Sequence, residues 1–250
     1  MSFARDLLLR LIDIVLAVVA ILIFSPALVV ALLLVWLYDG KNPVYAPARV
    51  GLQNQRFRMY KVRTMIIGAD STKVDSTSDS DHRITPVGRI IRKTKLDEVL
   101  QFYNVLTGSM SVVGPRPNIE REVALYTAEE LDLLEARPGI TDFSSIVFAD
   151  LGEILEGSDD PNIAYNQLVR PWKSRLGLIY LSNRSLKLYL LVVLATMINV
   201  FNRKAALNLI TAVLTSLKVH PDIIEVASRL KELKPAPPLG SSTIVSSRIV

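Results

Sequence analysis

The sequence contains no cysteine. It can form no disulfide, no thiolate zinc site and no cysteine-ligated iron–sulfur cluster. This removes the argument for an oxidising compartment and fixes no other. Its two histidines, His82 and His220, are isolated from each other, which argues against a histidine metal cluster. Aromatic residues are only 7% of the chain and no DNA- or RNA-binding motif is recognisable, so nucleic acid is disfavoured as a partner. Charged residues are scarce, at 21%, against 50% hydrophobic. That balance is too apolar for a disordered chain. The 250 residues suffice for one large domain or two small ones. No internal repeat is present.

The apolar residues are concentrated. Ile14 to Tyr38 is a run of 25 residues without a charge. As one helix it would be about 37 Å long, enough to cross a hydrocarbon core of roughly 30 Å. It is too long for the apolar region of a signal peptide. Ser25-Pro26 interrupts it near the middle. Pro26 offers no N–H to the carbonyl of Leu22, and in lipid that carbonyl needs another partner, for which the Ser25 hydroxyl is well placed. Basic residues flank both ends: Arg5 and Arg10 before, Lys41, Arg49, Arg56 and Arg58 after. A spanning helix is favoured by one basic end; two suit a helix that enters and returns to the same side. A kinked span and a re-entrant helix both fit these features.

From Lys41 to Lys95 there are 12 lysines and arginines against 4 acids. Beside a membrane segment, such a patch attracts anionic headgroups or a phosphorylated ligand. Asp70 to Arg83, rich in serine, threonine and aspartate, reads as a loop. It holds Asp79-Ser80-Asp81, a DxD string of the kind that binds metal and nucleotide in some glycosyltransferases, although three polar loop residues carry little weight.

Pro86 opens a short helix carrying Arg89, Arg92 and Lys93. A second follows, with Leu96, Val99, Leu100, Tyr103 and Leu106 as its buried face, Thr94 or Lys95 at its start and Gly108 at its end. Asp97 and Glu98 fall in its first turn, where acids favour the helix dipole. The dipole does not explain why they lie beside Arg92, Lys93 and Lys95. A carboxylate among cations stays ionised at neutral pH and can act as nucleophile or magnesium ligand.

Gly114-Pro115-Arg116-Pro117 is stiff, and presents a guanidinium with little entropy left to lose. Arg137-Pro138-Gly139 is a weaker case. Glu120 to Ala136 is expected to be helical, as is part of Asn162 to Leu181. Leu188 to Asn202 is uncharged but has only 15 residues, short for a span. With Ala205 to Leu217 it is expected to lie at the membrane interface or partly embedded. Pro235 to Val250 reads as a tail.

Together these stretches resemble a known family. The matching residues are Arg10-Leu11-Ile12-Asp13, Phe24-Ser25-Pro26, Phe57 to Met65, Arg83 to Arg89, Leu96-Asp97-Glu98, Asn104 to Ser111, Val113 to Pro117, and Arg137 to Thr141. In this order they resemble the small monotopic phosphoglycosyl transferases, the bacterial sugar transferases that start membrane glycoconjugate synthesis. The resemblance covers roughly residues 10 to 141 and continues to about 205. It implies a mainly α fold with little β. The implied arrangement is a re-entrant membrane helix over residues 1–39, broken at Ser25-Pro26, then a catalytic domain with interfacial helices over 40–233, and a flexible tail over 234–250. It implies residence at the cytoplasmic face of the bacterial inner membrane. The implied reaction moves a phosphosugar from a UDP-sugar to polyprenyl phosphate, usually undecaprenyl phosphate, releasing UMP and requiring Mg2+.

Carried onto this sequence, the resemblance makes Asp97 the nucleophile and Glu98 its partner, the two also being the candidate metal ligands. Two phosphates must meet there, so cations must offset their repulsion. Arg92 is the first candidate for phosphate contact, with Lys61, Arg63 and Arg116 beside it. The chain departs from the family after Thr141, where many members continue with Gly-Trp and a polar segment. Here Asp142 to Gly152 differ, which leaves the sugar open. A homo-oligomer is compatible with the sequence. Two other classes compete: a glycosyltransferase using Asp79 and Asp81 and releasing UDP, and a non-enzymatic membrane scaffold.

Overall fold

In the computed structural model, which describes residues 3–72 and 74–247, the apolar run forms one long helix, α1 (Phe3–Asp39). Pro26 lies inside it, and the carbonyl of Leu22 accepts a hydrogen bond from Ser25 Oγ at 3.0 Å. The expected partner for the freed carbonyl is therefore the one used. Among the described residues α1 is the one helix long and apolar enough to cross a membrane.

Both ends of α1 are held by the rest of the chain, and its middle is not. Leu9, Asp13 and Ala17 recur four residues apart and are buried; helical geometry stacks such residues on one face. Ala31 and Val35 repeat the pattern against Val62 and Ile91. Between them no residue from 18 to 30 is buried, and Leu22, Ile23, Val29 and Val30 are fully apolar and exposed.

After α1 come two small antiparallel pairs. β1 (Val44–Tyr45) pairs with β4 (Lys61–Val62), and β2 (Ala48–Val50) with β3 (Arg56–Arg58). α2 (Pro86–Lys93) begins as expected. Thr85 accepts from the Gly88 N–H, and Pro86 occupies the position where a missing N–H costs nothing. Lys95 then adopts the left-handed conformation, φ 57°, and turns the chain into a single 3₁₀ turn, Leu96–Glu98, followed by α3 (Gln101–Thr107), which Gly108 terminates at φ 88°. The expected second helix thus starts and ends near the foreseen residues, with its first turn wound more tightly. Of its expected inner face, Val99 is buried and Leu96, Leu100 and Leu106 pack against the cores, while Tyr103 departs. Tyr103 is 52% exposed, and the buried positions of α3 are Gln101, Asn104 and Val105.

β5 (Ser111–Val113) runs parallel to β6 (Gly139–Thr141), with Ser111 opposite Gly139 and Val113 opposite Thr141. The two backbones approach closely just beyond β5. A Cβ on Gly139 would lie 2.1 Å from the Gly114 nitrogen, so only glycine fits. The two proline-stiffened arginine motifs are therefore neighbours in one ladder.

The expected helix from Glu120 to Ala136 is broken into α4 (Glu120–Val123), α5 (Ala128–Leu131) and a 3₁₀ turn, Asp132–Glu135. Thr127 causes the break. Its hydroxyl accepts from the Glu130 N–H, while the Glu130 carboxylate accepts from the Thr127 N–H, a reciprocal cap that starts a new helix. Then follow α6 (Phe143–Val147), α7 (Leu151–Ile154), α8 (Pro161–Leu168), α9 (Arg170–Ser182), α10 (Leu186–Phe201), α11 (Arg203–Ser216) and α12 (Pro221–Ser228).

The main core lies between α1, α3, α6 and α9–α12, with Phe143, Tyr180, Tyr189 and Leu214 almost wholly buried. One face of α10 (Leu188, Val192, Ala195) enters it, while Leu190, Leu194, Met197 and Phe201 point outward. The Pro- and Ser-rich C-terminal stretch runs back over α8 and α9. The Ala236 N–H donates to the Gln167 carbonyl, and Gln167 Nε2 donates to the carbonyl of Val245 at 2.6 Å.

Candidate active site

Asp97 and Glu98 lie where four local decisions meet. The turn at Lys95 aims the 3₁₀ segment back across the end of α2. Gly88 allows α2 to touch the chain just after β4, since a Cβ there would sit 2.0 Å from the Thr64 carbonyl oxygen. Thr64 in turn accepts from Arg92 Nε at 2.8 Å through its hydroxyl, which fixes that guanidinium beside Asp97. On the far side Asn104 bridges α3 to the loop before β4, accepting from the Tyr60 N–H at 2.9 Å and donating to the Arg58 carbonyl at 2.7 Å. Lys61 follows directly.

The two acids have different surroundings. Glu98 is clamped. Arg116 donates to it from both terminal nitrogens, one bond measuring 3.1 Å, and Lys61 Nζ lies 3.6 Å away. Arg116 also donates to the Ile140 carbonyl at 3.2 Å, so the β5–β6 ladder holds it in place. Burial alone would raise the Glu98 pKa, but the Arg116 and Lys61 charges outweigh it and hold the carboxyl far below its usual range. Arg116 is correspondingly pushed up by Glu98.

Asp97 is 8% exposed and accepts no hydrogen bond from any described residue; its Oδ1 is wholly buried. Burial, followed by the neighbouring Glu98 charge, raises its pKa, against the pull of Lys61, Arg92 and Lys95. Burial also lowers Lys61 and Arg92. The result is an under-solvated carboxylate ringed by cations, next to a second carboxylate already neutralised by its partners. Such an oxygen is poised to bond an electrophile or a cation.

Three of the four cations expected at the dyad are there: Lys61, Arg92 and Arg116. Arg63 is not among them. Its guanidinium donates twice to Asp39, at 2.7 Å each, and to the carbonyls of Asn42, Met65 and Lys41, so all five of its N–H groups are used. It pins the end of α1. Arg137 is exposed.

Among the described residues, Asp79 and Asp81 join no group of three or more metal-ligating side chains. Arg83 grips Asp81 through Nε and a terminal nitrogen, the latter at 2.6 Å, and also donates to Ala69, Thr72 and Val74. Asp79 lies against Gly152 in α7. These contacts close the loop on itself.

Several buried polar positions escaped the sequence reading, Asp13 and Gln101 among them. Asp13 of α1 is 3% exposed and accepts from Ser111 Oγ, the Val112 N–H and the Tyr189 hydroxyl. Gln101, one turn after the dyad, is wholly buried.

A model of the bacterial sugar transferase family matches residues 4–203. The chain belongs to that family. Among curated relatives, it is 34% identical over 191 residues to UDP-N-acetylgalactosamine-undecaprenyl-phosphate N-acetylgalactosaminephosphotransferase of Aeromonas hydrophila, covering 74% of this chain and 41% of that protein. It is 36% identical over 146 residues to UDP-glucose:undecaprenyl-phosphate glucose-1-phosphate transferase of Caulobacter vibrioides, covering 57% and 55%. Identity to the exopolysaccharide production protein ExoY of Rhizobium meliloti is 36% over 147 residues, covering 53% and 65%. The chain thus spans from about two fifths to just under two thirds of the length of these relatives.

Proposed function

We propose that this sugar transferase moves a phosphosugar from a UDP-sugar to undecaprenyl phosphate through a covalent intermediate on Asp97. The observation that carries the reading is the asymmetry of the dyad. Glu98 is committed to Arg116 and Lys61, while the Asp97 carboxylate has no hydrogen-bond partner among the described residues. The relatives' names supply the two substrates.

In the first step an Asp97 oxygen bonds to the β-phosphorus of the UDP-sugar. The bond from that phosphorus to the bridging oxygen breaks, and UMP leaves with the electron pair. In the second step a phosphate oxygen of undecaprenyl phosphate bonds to the same phosphorus, and the Asp97–phosphorus bond breaks to return the carboxylate. Arg92, Lys61 and Arg116 offset the charge that gathers as nucleophile and diphosphate meet. Glu98 holds Lys61 and Arg116 against that surface. Mg2+ fits the donor set, since it takes oxygen ligands from one or two carboxylates together with substrate phosphates. Asp97 is open to it, whereas Glu98 must loosen its Arg116 pair to join. When bound, the ion supplies further neutralisation of the diphosphate.

The enzyme is read as a monotopic protein of the bacterial inner membrane, with its site on the cytoplasmic face and α1 re-entrant at Ser25-Pro26. Three features support this. Both ends of α1 are anchored to one body, its uncovered middle is apolar, and the Leu22 carbonyl is satisfied locally. A bend there brings the lipid carrier's phosphate to the interface where the dyad sits.

The test is to incubate detergent-solubilised protein with undecaprenyl phosphate, Mg2+ and a panel of UDP-sugars, and to assay UMP and UDP separately. UMP from one sugar is expected, and Asp97→Asn is expected to lower its release by about 10³-fold or more. Asp97→Asn should keep its fold, because burial already disfavours the charged form. UDP as product, or normal turnover by Asp97→Asn, would refute the reading.

A further inference from the structure

α3, which follows the 3₁₀ turn of the dyad, begins with a buried amide that has nothing to bond. Gln101 is wholly buried, and neither its Nε2 nor its Oε1 has a hydrogen-bond partner among the described residues. Leaving both ends of a buried amide unmatched is costly. An apolar side chain of the same length would fill the position with no such loss, as Val105 does one turn later. Groups kept at a cost to stability collect where a function needs them.

Gln101 lies four residues after Asp97 and three after Glu98. Asp97, Gln101, Asn104 and Val105 are all buried, a recurrence that puts Gln101 on the inward side that Asp97 also faces, one turn further on. Asp97 has the complementary defect. Its Oδ1 is buried and accepts nothing, whereas its other oxygen is neither buried nor bonded. A buried donor without an acceptor therefore stands one turn from a buried acceptor without a donor. The charged groups around Asp97 are Glu98, Lys61, Arg92, Lys95 and Arg116. None of them donates a hydrogen bond to it, and Arg92 and Lys61 are oriented by Thr64 and Glu98.

We propose that Gln101 is a positioning residue for Asp97: in the substrate-bound enzyme its amide N–H donates to the buried Oδ1, fixing the carboxylate plane so that the open oxygen faces the β-phosphorus. Hydrogen bonds of this kind are commonly long in the free enzyme and tighten once substrate is bound. The inference rests on Asp97 being the nucleophile. Gln101 itself does not touch the reacting atoms. Its effect is on the fraction of bound complexes in line for attack, so it acts on kcat and leaves KM nearly alone.

The experiment compares the wild type with Gln101→Met and Gln101→Asn in detergent, with the UDP-sugar that supports UMP release. Gln101→Met keeps the length and removes both unmatched polar atoms. Its thermal midpoint should equal or exceed that of the wild type, KM for the UDP-sugar should stay within about twofold, and kcat for UMP release should fall about 10²-fold. Gln101→Asn, which keeps an amide one methylene shorter, should recover part of that loss despite a lower thermal midpoint. Wild-type kcat in Gln101→Met would overturn the proposal. So would a lower midpoint in Gln101→Met with undiminished kcat per folded molecule, which is the mark of a structural role. If Gln101→Met does not fold, Gln101→Leu takes its place under the same criteria. A wild type that releases no UMP from any UDP-sugar would instead remove the nucleophile assignment, and this inference with it.

Discussion

Replacing Asp13 should loosen the membrane helix from the rest of the enzyme, and the expected size follows from its contacts. The carboxylate accepts from Ser111 Oγ at 2.8 Å, the Val112 N–H at 2.8 Å and the Tyr189 hydroxyl at 2.7 Å, with Arg10 at 4.0 Å. A hydrogen bond to a charged group contributes about 1.5–3 kcal/mol, so Tyr189→Phe should cost that much. Asp13→Ala leaves all three donors buried without an acceptor and should cost about 3–5 kcal/mol, the range for breaking a buried charged cluster. For a chain of this size that is a fall in thermal midpoint of about 6–20 °C. The assay is tryptophan fluorescence on heating in detergent, with the Asp13→Ala/Tyr189→Phe double variant closing a cycle. The double loss should fall short of the sum of the single losses by about 1–2 kcal/mol, since the two changes share a bond. A midpoint for Asp13→Ala within 2 °C of wild type (about 1 kcal/mol or less), or strict additivity, would refute this account of how α1 is held.

Two further outcomes are expected. Gly88→Ala must push α2 away from the Thr64 carbonyl and with it the Arg92 anchor; it should cost about 1–3 kcal/mol and lower kcat/KM for UMP release, and wild-type values in both would contradict the packing described. Glu98 contributes stability in its ionised form, because its folded pKa lies below the unfolded one; that contribution is complete above an unfolded pKa of about 4.3 and is lost as the pH falls through the folded value. Glu98→Gln should therefore be less stable than wild type at pH 7, with the gap in thermal midpoint narrowing by pH 3. A gap that widens in acid would reverse the sign.

The parts of the site legible in the sequence were those set by neighbours in the chain. Pro86, Gly108 and the pairing of Ser25 with the Leu22 carbonyl are local events, and each is found as expected. The same holds for the dyad beside Arg92 and for the stiff presentation of Arg116. Arg63 was not separable from Lys61 by any local feature. What distinguishes them is where α1 ends, since Asp39 there takes the guanidinium. Gln101 and Asn104 were missed because hydropathy patterns count apolar residues, and these two occupy buried positions as polar ones. The break before α5 did carry a signal, Thr127 followed three residues later by Glu130, which the longer helical pattern around it obscured.

The anchoring of α1 has a consequence for the order in which the enzyme can be made. Asp13 is translated long before its partners, Ser111 lying 98 residues later and Tyr189 176 residues later. At about 5–20 residues per second, the last of the three donors arrives roughly 9–35 s after the carboxylate. Until Ser111 arrives, Arg10, three residues earlier, is the one partner of the Asp13 charge among the described residues, at 4.0 Å, on a helix whose apolar run makes burial of an incompletely bonded charge in hydrocarbon expensive. The full set of donors to Asp13 is complete only once α10 is synthesised, so the docking of the first turns of α1 finishes with the last helices of the core rather than with the first.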